Sequence, residues 1–131
     1  MYDSHLITDH DCRNMYSHGV NYGYSVDITI NYYIGLPISC IDEIALEVDG
    51  EAIDPKDMVV RTRGKEFAYN FILSDECPTD LYWLHGDYLK VIVLKDGGIP
   101  QGIHHVKLTL KTRRSYTPTM VSVCEKDITI A

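Results

Sequence analysis

Residues 22–33 alternate between apolar and polar side chains, and this pattern constrains the fold more than any other feature of the sequence. The side chains of one parity are Tyr22, Tyr24, Val26, Ile28, Ile30 and Tyr32. Successive side chains of a β-strand point to opposite faces, so the pattern predicts a strand with one dry face and one wet face. Gly35-Leu36-Pro37 then interrupts it.

Further strands follow at short intervals, and no segment predicts an amphipathic helix. We predict them at residues 44–48, 58–62, 66–73, 88–94, 103–113, 119–124 and 127–130. Arg63-Gly64 indicates a hairpin, and the apolar run at 88–94 is typical of a central strand buried on both faces. About eight or nine short strands predict one all-β domain over residues 1–131. We expect an antiparallel β-sandwich, and a small open barrel is the alternative.

Charge and cysteine content exclude several classes of protein. Twelve Lys and Arg stand against 19 Asp and Glu, a formal net charge of −7. Binding to nucleic acid or to an anionic membrane needs clustered positive charge, so we expect neither partner. The four cysteines are far apart and form no zinc-ligand or disulfide pattern, which indicates reduced thiols. With no signal segment at the start, we predict a cytoplasmic protein.

The histidine pair at residues 104–105 offers the closest approach to a metal motif. Adjacent residues on a strand point to opposite faces, so His104 and His105 cannot share one ion on a regular strand. A core-edge histidine bonded to the backbone is the first reading of His104, and a ligand-facing histidine in a partner's site is the second. Nucleophile elbows, phosphate loops and convincing carboxylate pairs are missing from the sequence. We therefore predict no catalytic and no metal-binding residue in this chain.

Two aromatic segments are candidate contact surfaces. Tyr33 has the opposite parity to the other tyrosines of its strand and precedes Gly35-Leu36-Pro37, so we expect it at an interface or exposed. Trp83 is followed by Leu84, His85 and Gly86. A tryptophan in this setting either stacks on a sugar or a partner, or fills the core of a sandwich.

Three segments together resemble one protein family. They are residues 31–39 (NYYIGLPIS), residues 46–51 (LEVDGE), and residues 97–106 (GGIPQGIHHV) running on to residues 114–118 (RSYTP). Their order and spacing, with Trp83-Leu84-His85-Gly86 between them, resemble the small β subunits of bacterial C-glycoside deglycosidases. The resemblance spans roughly residues 10–120.

The resemblance implies that the chain works only in a hetero-oligomer. In that family, a large α subunit similar to sugar isomerase and epimerase (β/α) barrels binds a divalent metal, usually taken as manganese. The complex is a carbon–carbon lyase that separates a 3-oxo sugar from a flavonoid-type aglycone. By this resemblance the present chain is the non-metal subunit, inactive alone, which supports and partly covers the active site. Residues that we expect to face the partner or substrate are Tyr33, Leu36, Pro37, Trp83, His85, His104 and Tyr116.

Two other functions are compatible with the sequence. A stand-alone carbohydrate-binding module would use Trp83 and exposed tyrosines as a stacking platform. A purely architectural sandwich would assemble larger oligomers without contributing to any active site.

Overall fold

A computed structural model describes residues 6–9, 11–30, 35–84, 86–114 and 117–131 of the chain. Within these residues the strands are β1 (Ile7–Thr8), β2 (Asn14–Ser17), β3 (Val20–Ile28), β4 (Leu36–Pro37), β5 (Ile41–Val48), β6 (Glu51–Ala52), β7 (Met58–Thr62), β8 (Lys65–Ala68), β9 (Tyr82–Trp83), β10 (Leu89–Leu94), β11 (Gly102–Arg114) and β12 (Thr117–Ile130). A helical turn, α1 (Tyr69–Ile72), follows β8, and 3-10 turns occupy Ile38–Cys40 and Pro55–Asp57.

The strands form two principal antiparallel sheets and one short ribbon. The larger sheet has the order β1-β3-β10-β7-β8, with β2 also paired to β3. The smaller sheet has the order β12-β11-β5-β6, and β4 pairs with β9 as a separate ribbon. In the described part of the chain neither principal sheet closes on itself. The all-β, antiparallel sandwich that the sequence predicts is confirmed.

The core lies between the two principal sheets and is built from alternate residues of their strands. Members from the larger sheet are Tyr24, Val26, Ile28, Val60, Val91 and Val93, and members from the smaller sheet are Ile44, Leu46, Val106, Leu108, Leu110, Cys124 and Ile128. Each such side chain contributes about 1.5–3 kcal/mol when it leaves water. The predicted inward positions of β5 and β11 are therefore confirmed. So is the central place of residues 88–94, because β10 pairs with β3 on one side and β7 on the other.

The predicted wet face of β3 is wrong for its middle residues. Ser25 and Asp27 are as deeply buried as the apolar residues beside them. The Ser25 hydroxyl lies 3.4 Å from the Asp11 carbonyl and 3.3 Å from the Arg13 carbonyl, so residues 11–13 cover this face. Alternation correctly identified two different faces of β3, but residues 11–13 shield the polar face from water.

The predicted strand at residues 66–73 is also wrong beyond Ala68. The chain enters α1, which places Tyr69 and Ile72 on one buried side. The Ile44 amide donates to the Tyr69 hydroxyl at 2.9 Å, and this tertiary bond favours the helical turn over a continued strand. Phe67 and Phe71 stack with ring centroids 5.5 Å apart instead of alternating along a strand.

The last two predicted strands are one. β12 runs from Thr117 to Ile130 and pairs with β11 along its length, with a register shift between Thr112 and Arg114. Among the described residues, no helix has the length and apolar character needed to cross a membrane.

Candidate functional site

The β4–β9 ribbon holds three of the four described residues that the sequence predicts to face a partner or substrate, and the fourth is His104. Leu36 pairs with Trp83, and Pro37 pairs with Tyr82. Trp83 is fully buried, and its indole N–H donates to the Asp87 carbonyl at 3.1 Å. Leu36 is buried as well. Of the two roles considered for Trp83, the structure shows the core role. Neither Trp83 nor Leu36 presents its side chain to a partner in this conformation, because the ribbon's inner side packs on the core.

The outer side of the same ribbon carries exposed apolar side chains. Tyr82 is 46% exposed and Leu84 is 41% exposed, while Pro37 beside Tyr82 is half-buried. Gly35 lies under Leu84, where an added Cβ would stand 2.7 Å from the Trp83 carbonyl oxygen. Only glycine therefore allows the backbone at residue 35 to approach the backbone of residues 83–84 this closely. Sequence reasoning missed Tyr82 and named Leu84 only as a neighbour of Trp83, although the alternation of both with Trp83 was the available signal.

Three predicted contact residues, Tyr33, His85 and Tyr116, lie outside the described residues. Their contact roles stay predictions.

His104 lies at the opposite end of the sandwich and is held on both ring nitrogens. Its Nδ1 lies 2.6 Å from the Asp49 carboxylate, and its Nε2 lies 2.6 Å from the Pro100 carbonyl oxygen. Both partners are acceptors, so only the positively charged form of the ring can donate to both. The bond to Asp49 raises the pKa of His104, although partial burial opposes it. The core-edge position and the backbone bond predicted for His104 are confirmed, and no ring nitrogen is left for a ligand.

His105 points to the other face of β11, as strand geometry requires. Its ring nitrogens lie 2.7 Å from the Asp127 carboxylate and 3.0 Å from the Glu125 carboxylate. The hydrogen bond to Glu125, followed by that to Asp127, raises the pKa of His105. This exposed cluster links two neighbouring strands on the solvent side of the smaller sheet.

A lysine is enclosed by two acidic residues on the outer face of the larger sheet. Lys90 Nζ lies 2.9 Å from the Asp27 carboxylate, 3.4 Å from the Asp11 carboxylate and 3.0 Å from the Asp11 carbonyl oxygen. The Asp27 side chain is almost entirely buried. A hydrogen bond from Arg13 is the main cause that lowers the pKa of Asp11. The cluster ties residues 11–13 to the sheet, and its residue spacing gave no signal in the sequence.

A cavity of about 270 Å³ opens where β3 and β10 face the β5–β6 turn. Its acidic lining residues are Asp49, Glu51, Asp54 and Asp57, and its one basic lining residue is Lys95. Tyr24, Val93 and Ile99 contribute its inner wall. Sequence reasoning missed this site, because four carboxylates in turns and short elements carry no periodic signal.

Burial disfavours activation of two of the described thiols, and the described acidic clusters form no metal-binding centre. Burial raises the pKa of the Cys12 and Cys77 thiols, which disfavours the reactive thiolate. In the part of the chain that the structure describes, no group of three His, Cys, Asp or Glu side chains is arranged to hold a metal ion.

Comparison with known proteins identifies one matching family and one similar relative. A family model described as C-glycoside deglycosidase beta subunit matches residues 2–116 of the chain. The 3'-dehydrocarminate deglycosidase beta subunit of Microbacterium sp is 31% identical over 108 residues, which cover 80% of this chain and 79% of that relative.

Proposed function

The chain belongs to the family of C-glycoside deglycosidase beta subunits, and from this premise we propose that it completes a carbon–carbon lyase. The other component is an α subunit with a (β/α)-barrel fold, and the complex separates a 3-oxo sugar from a flavonoid-type aglycone in the bacterial cytoplasm. The family match across residues 2–116 carries this proposal. The 3'-dehydro substrate in the relative's name supports an oxidised sugar as the substrate class.

The chemistry explains why the sugar must first be oxidised. A C-glycoside has no glycosidic oxygen to protonate, so the two-carboxylate hydrolysis of O-glycosides does not apply. A carbonyl at C3 acidifies the proton at C2. When a base removes that proton, a C1–C2 double bond forms, the C1–aryl bond breaks, and the departing aryl carbon takes up a proton. A divalent metal in the α subunit, taken as manganese, would stabilise the negative charge at the C3 oxygen.

In this proposal the chain contacts the α subunit and partly covers its active site. The outer side of the β4–β9 ribbon is apolar, and exposed apolar and aromatic side chains are typical of protein contact surfaces. We assign Pro37, Tyr82 and Leu84 to contact with the α subunit, and Tyr33, His85 and Tyr116 stay predicted contact residues. The two principal sheets behind the ribbon would hold these contact residues against the barrel of the α subunit.

Reconstitution tests the division of labour. The chain, the α subunit and their mixture are each supplied with a 3-oxo-C-glycoside, and released aglycone is measured. We expect release from the mixture and none from this chain alone. Release by this chain alone would show that the catalytic groups are assigned to the wrong subunit. A mixture that neither associates nor releases aglycone would refute the proposal as a whole.

Leu84→Ser tests the docking surface, and Val20→Ser is its matched control. Val20 is also an exposed aliphatic residue, but it lies at the end of β3 far from the ribbon. Loss of an apolar contact residue is expected to weaken association by about tenfold, whereas the control stays within about twofold. Equal affinities for both variants would show that the interface lies elsewhere on the chain.

The carbohydrate-binding alternative loses its principal stacking residue because Trp83 is buried. Calorimetry of the isolated chain with plain sugars tests whether the exposed tyrosines bind sugar without it.

A further inference from the structure

The acidic cavity carries a surplus of negative charge that the chain does not neutralise. Asp49 is bonded to His104, and Asp54 lies 3.6 Å from Lys56 Nζ. Glu51 and Asp57 have no ion-pair partner within the described ranges, and Glu51 is exposed whereas Asp57 is half-buried. Lys95 at the rim offsets part of the charge only. The cavity therefore presents two carboxylates that are free to accept hydrogen bonds.

A second and independent feature is the Tyr24 hydroxyl. Tyr24 is only 2% exposed and lines the inner wall of the cavity, yet its hydroxyl has no hydrogen-bond partner among residues that the structure describes. This oxygen is not fully enclosed, so a group inside the cavity can reach it. Burial, followed by the charges of Glu51 and Asp49, raises the pKa of Tyr24 to about 12, so the group stays a neutral phenol. Its oxygen is available to accept a hydrogen bond from a group inside the cavity.

The chemistry of these groups selects the ligand. Anionic ligands are disfavoured by the surplus carboxylates, and the described side chains do not provide a metal-binding group of three. An organic cation satisfies every feature, since its N–H groups can donate to carboxylates and to a phenol oxygen. We propose that this cavity binds a guanidinium or alkylammonium group, which Glu51 and Asp57 hold at the rim and Tyr24 contacts at the inner wall. Val93 and Ile99 provide apolar surface for the methylene stem of such a group. This inference does not depend on the proposed lyase complex.

A pair of small probes tests the site on the full chain. N-acetyl-arginine methylamide carries one guanidinium, and N-acetyl-citrulline methylamide is its neutral counterpart of nearly equal shape. Amide chemical shifts are recorded by NMR during titration with each. We expect the arginine probe to change the amide chemical shifts of residues 49–57. The dissociation constant should be about a millimolar, because a single side chain provides limited binding energy. Citrulline should leave them unchanged. Equal responses to both probes would overturn the proposal.

Matched variants separate the cavity from the general acidity of the chain. Glu51→Gln with Asp57→Asn should weaken binding of the arginine probe by about tenfold, the effect of losing one charged hydrogen bond. Glu76→Gln with Asp75→Asn removes the same charge from an exposed turn outside the cavity and should have no effect. Tyr24→Phe should weaken the probe without lowering the thermal midpoint. Unchanged affinity in the Glu51 and Asp57 double variant would overturn the proposal.

The same titration identifies where the natural cation comes from. If the α subunit changes the amide chemical shifts of residues 49–57 and prevents the arginine probe from binding, the cation is a basic side chain of that partner. If the probe still binds to the assembled complex, the cation is a free small molecule. Both results support the site. If the α subunit does not associate at all, the lyase proposal fails while the probe titration with the chain alone still decides this inference.

Discussion

Among the tyrosines that the structure describes, the two most deeply buried provide a controlled test of how side-chain hydrogen bonds stabilise this fold. Tyr69 and Tyr24 are 3% and 2% exposed, and each contributes its ring to the core. Their hydroxyls differ in one respect. The Tyr69 hydroxyl accepts from the Ile44 amide at 2.9 Å, whereas within the described residues the Tyr24 hydroxyl has no partner. Substitution by phenylalanine keeps the ring in both cases and isolates the contribution of the hydrogen bond.

The position of Ile44 sets the size of the effect. β5 pairs with β11 along one edge, but on its other edge it pairs with β6 only at Glu47 and Val48. Tyr69 therefore supplies the partner that no neighbouring strand offers to Ile44. Tyr69→Phe would leave that amide buried and unpaired, at a cost of about 1–3 kcal/mol in the free energy of unfolding.

Urea denaturation followed by circular dichroism measures this cost. We expect Tyr69→Phe to lower the transition midpoint with no change in its slope, because the surface exposed on unfolding stays the same. Tyr24→Phe should leave the free energy of unfolding unchanged or slightly higher, because no internal bond is lost. Equal losses in the two variants, or none in Tyr69→Phe, would refute the assignment of the bond and of its energy.

Three further predictions concern other parts of the molecule. Since the folded pKa of His104 is raised, its contribution to stability is fully present below its unfolded pKa of 6.5 and is lost as pH rises through the folded value. The stability difference between the native chain and His104→Gln should therefore be larger at pH 6 than at pH 9. Lys90→Met removes the ammonium that lies 2.9 Å from the buried Asp27 carboxylate, which should cost about 3–5 kcal/mol in urea denaturation. Gly35→Ala forces a Cβ against the Trp83 carbonyl and should cost about 1–3 kcal/mol, with a red shift in the fluorescence of the single tryptophan.

Each of these has a distinct contradicting result. A stability difference for His104→Gln that does not change with pH would mean that the bond to Asp49 does not depend on the charge of the ring. The Lys90→Met loss should be partly recovered when Asp27→Asn is added, and failure to recover would assign the cost to packing instead of charge. A Gly35→Ala variant with native stability and fluorescence would show that the ribbon can separate without affecting the core.

Local alternation in the sequence was enough to identify most of the strands. The inward residues of β5 and β11 follow from side-chain periodicity alone, because a strand between water and a core must place apolar groups on one side. The opposite orientation of His104 and His105 follows from the same rule. The family also followed from the sequence, because the order and spacing of short segments can be compared without knowing how they pack.

Only the tertiary structure decided which segments meet. Residues 11–13 dry a face of β3 that alternation marks as wet, and Tyr69 leaves the strand pattern because its hydroxyl bonds to Ile44. Trp83 points inward because β9 pairs with β4, a contact between segments far apart in the chain. The acidic cavity likewise needs the β5–β6 turn to face Tyr24. Periodicity reports how a residue alternates with its neighbours in sequence, whereas a site depends on pairings between distant segments, and those are set by the packing of the whole chain.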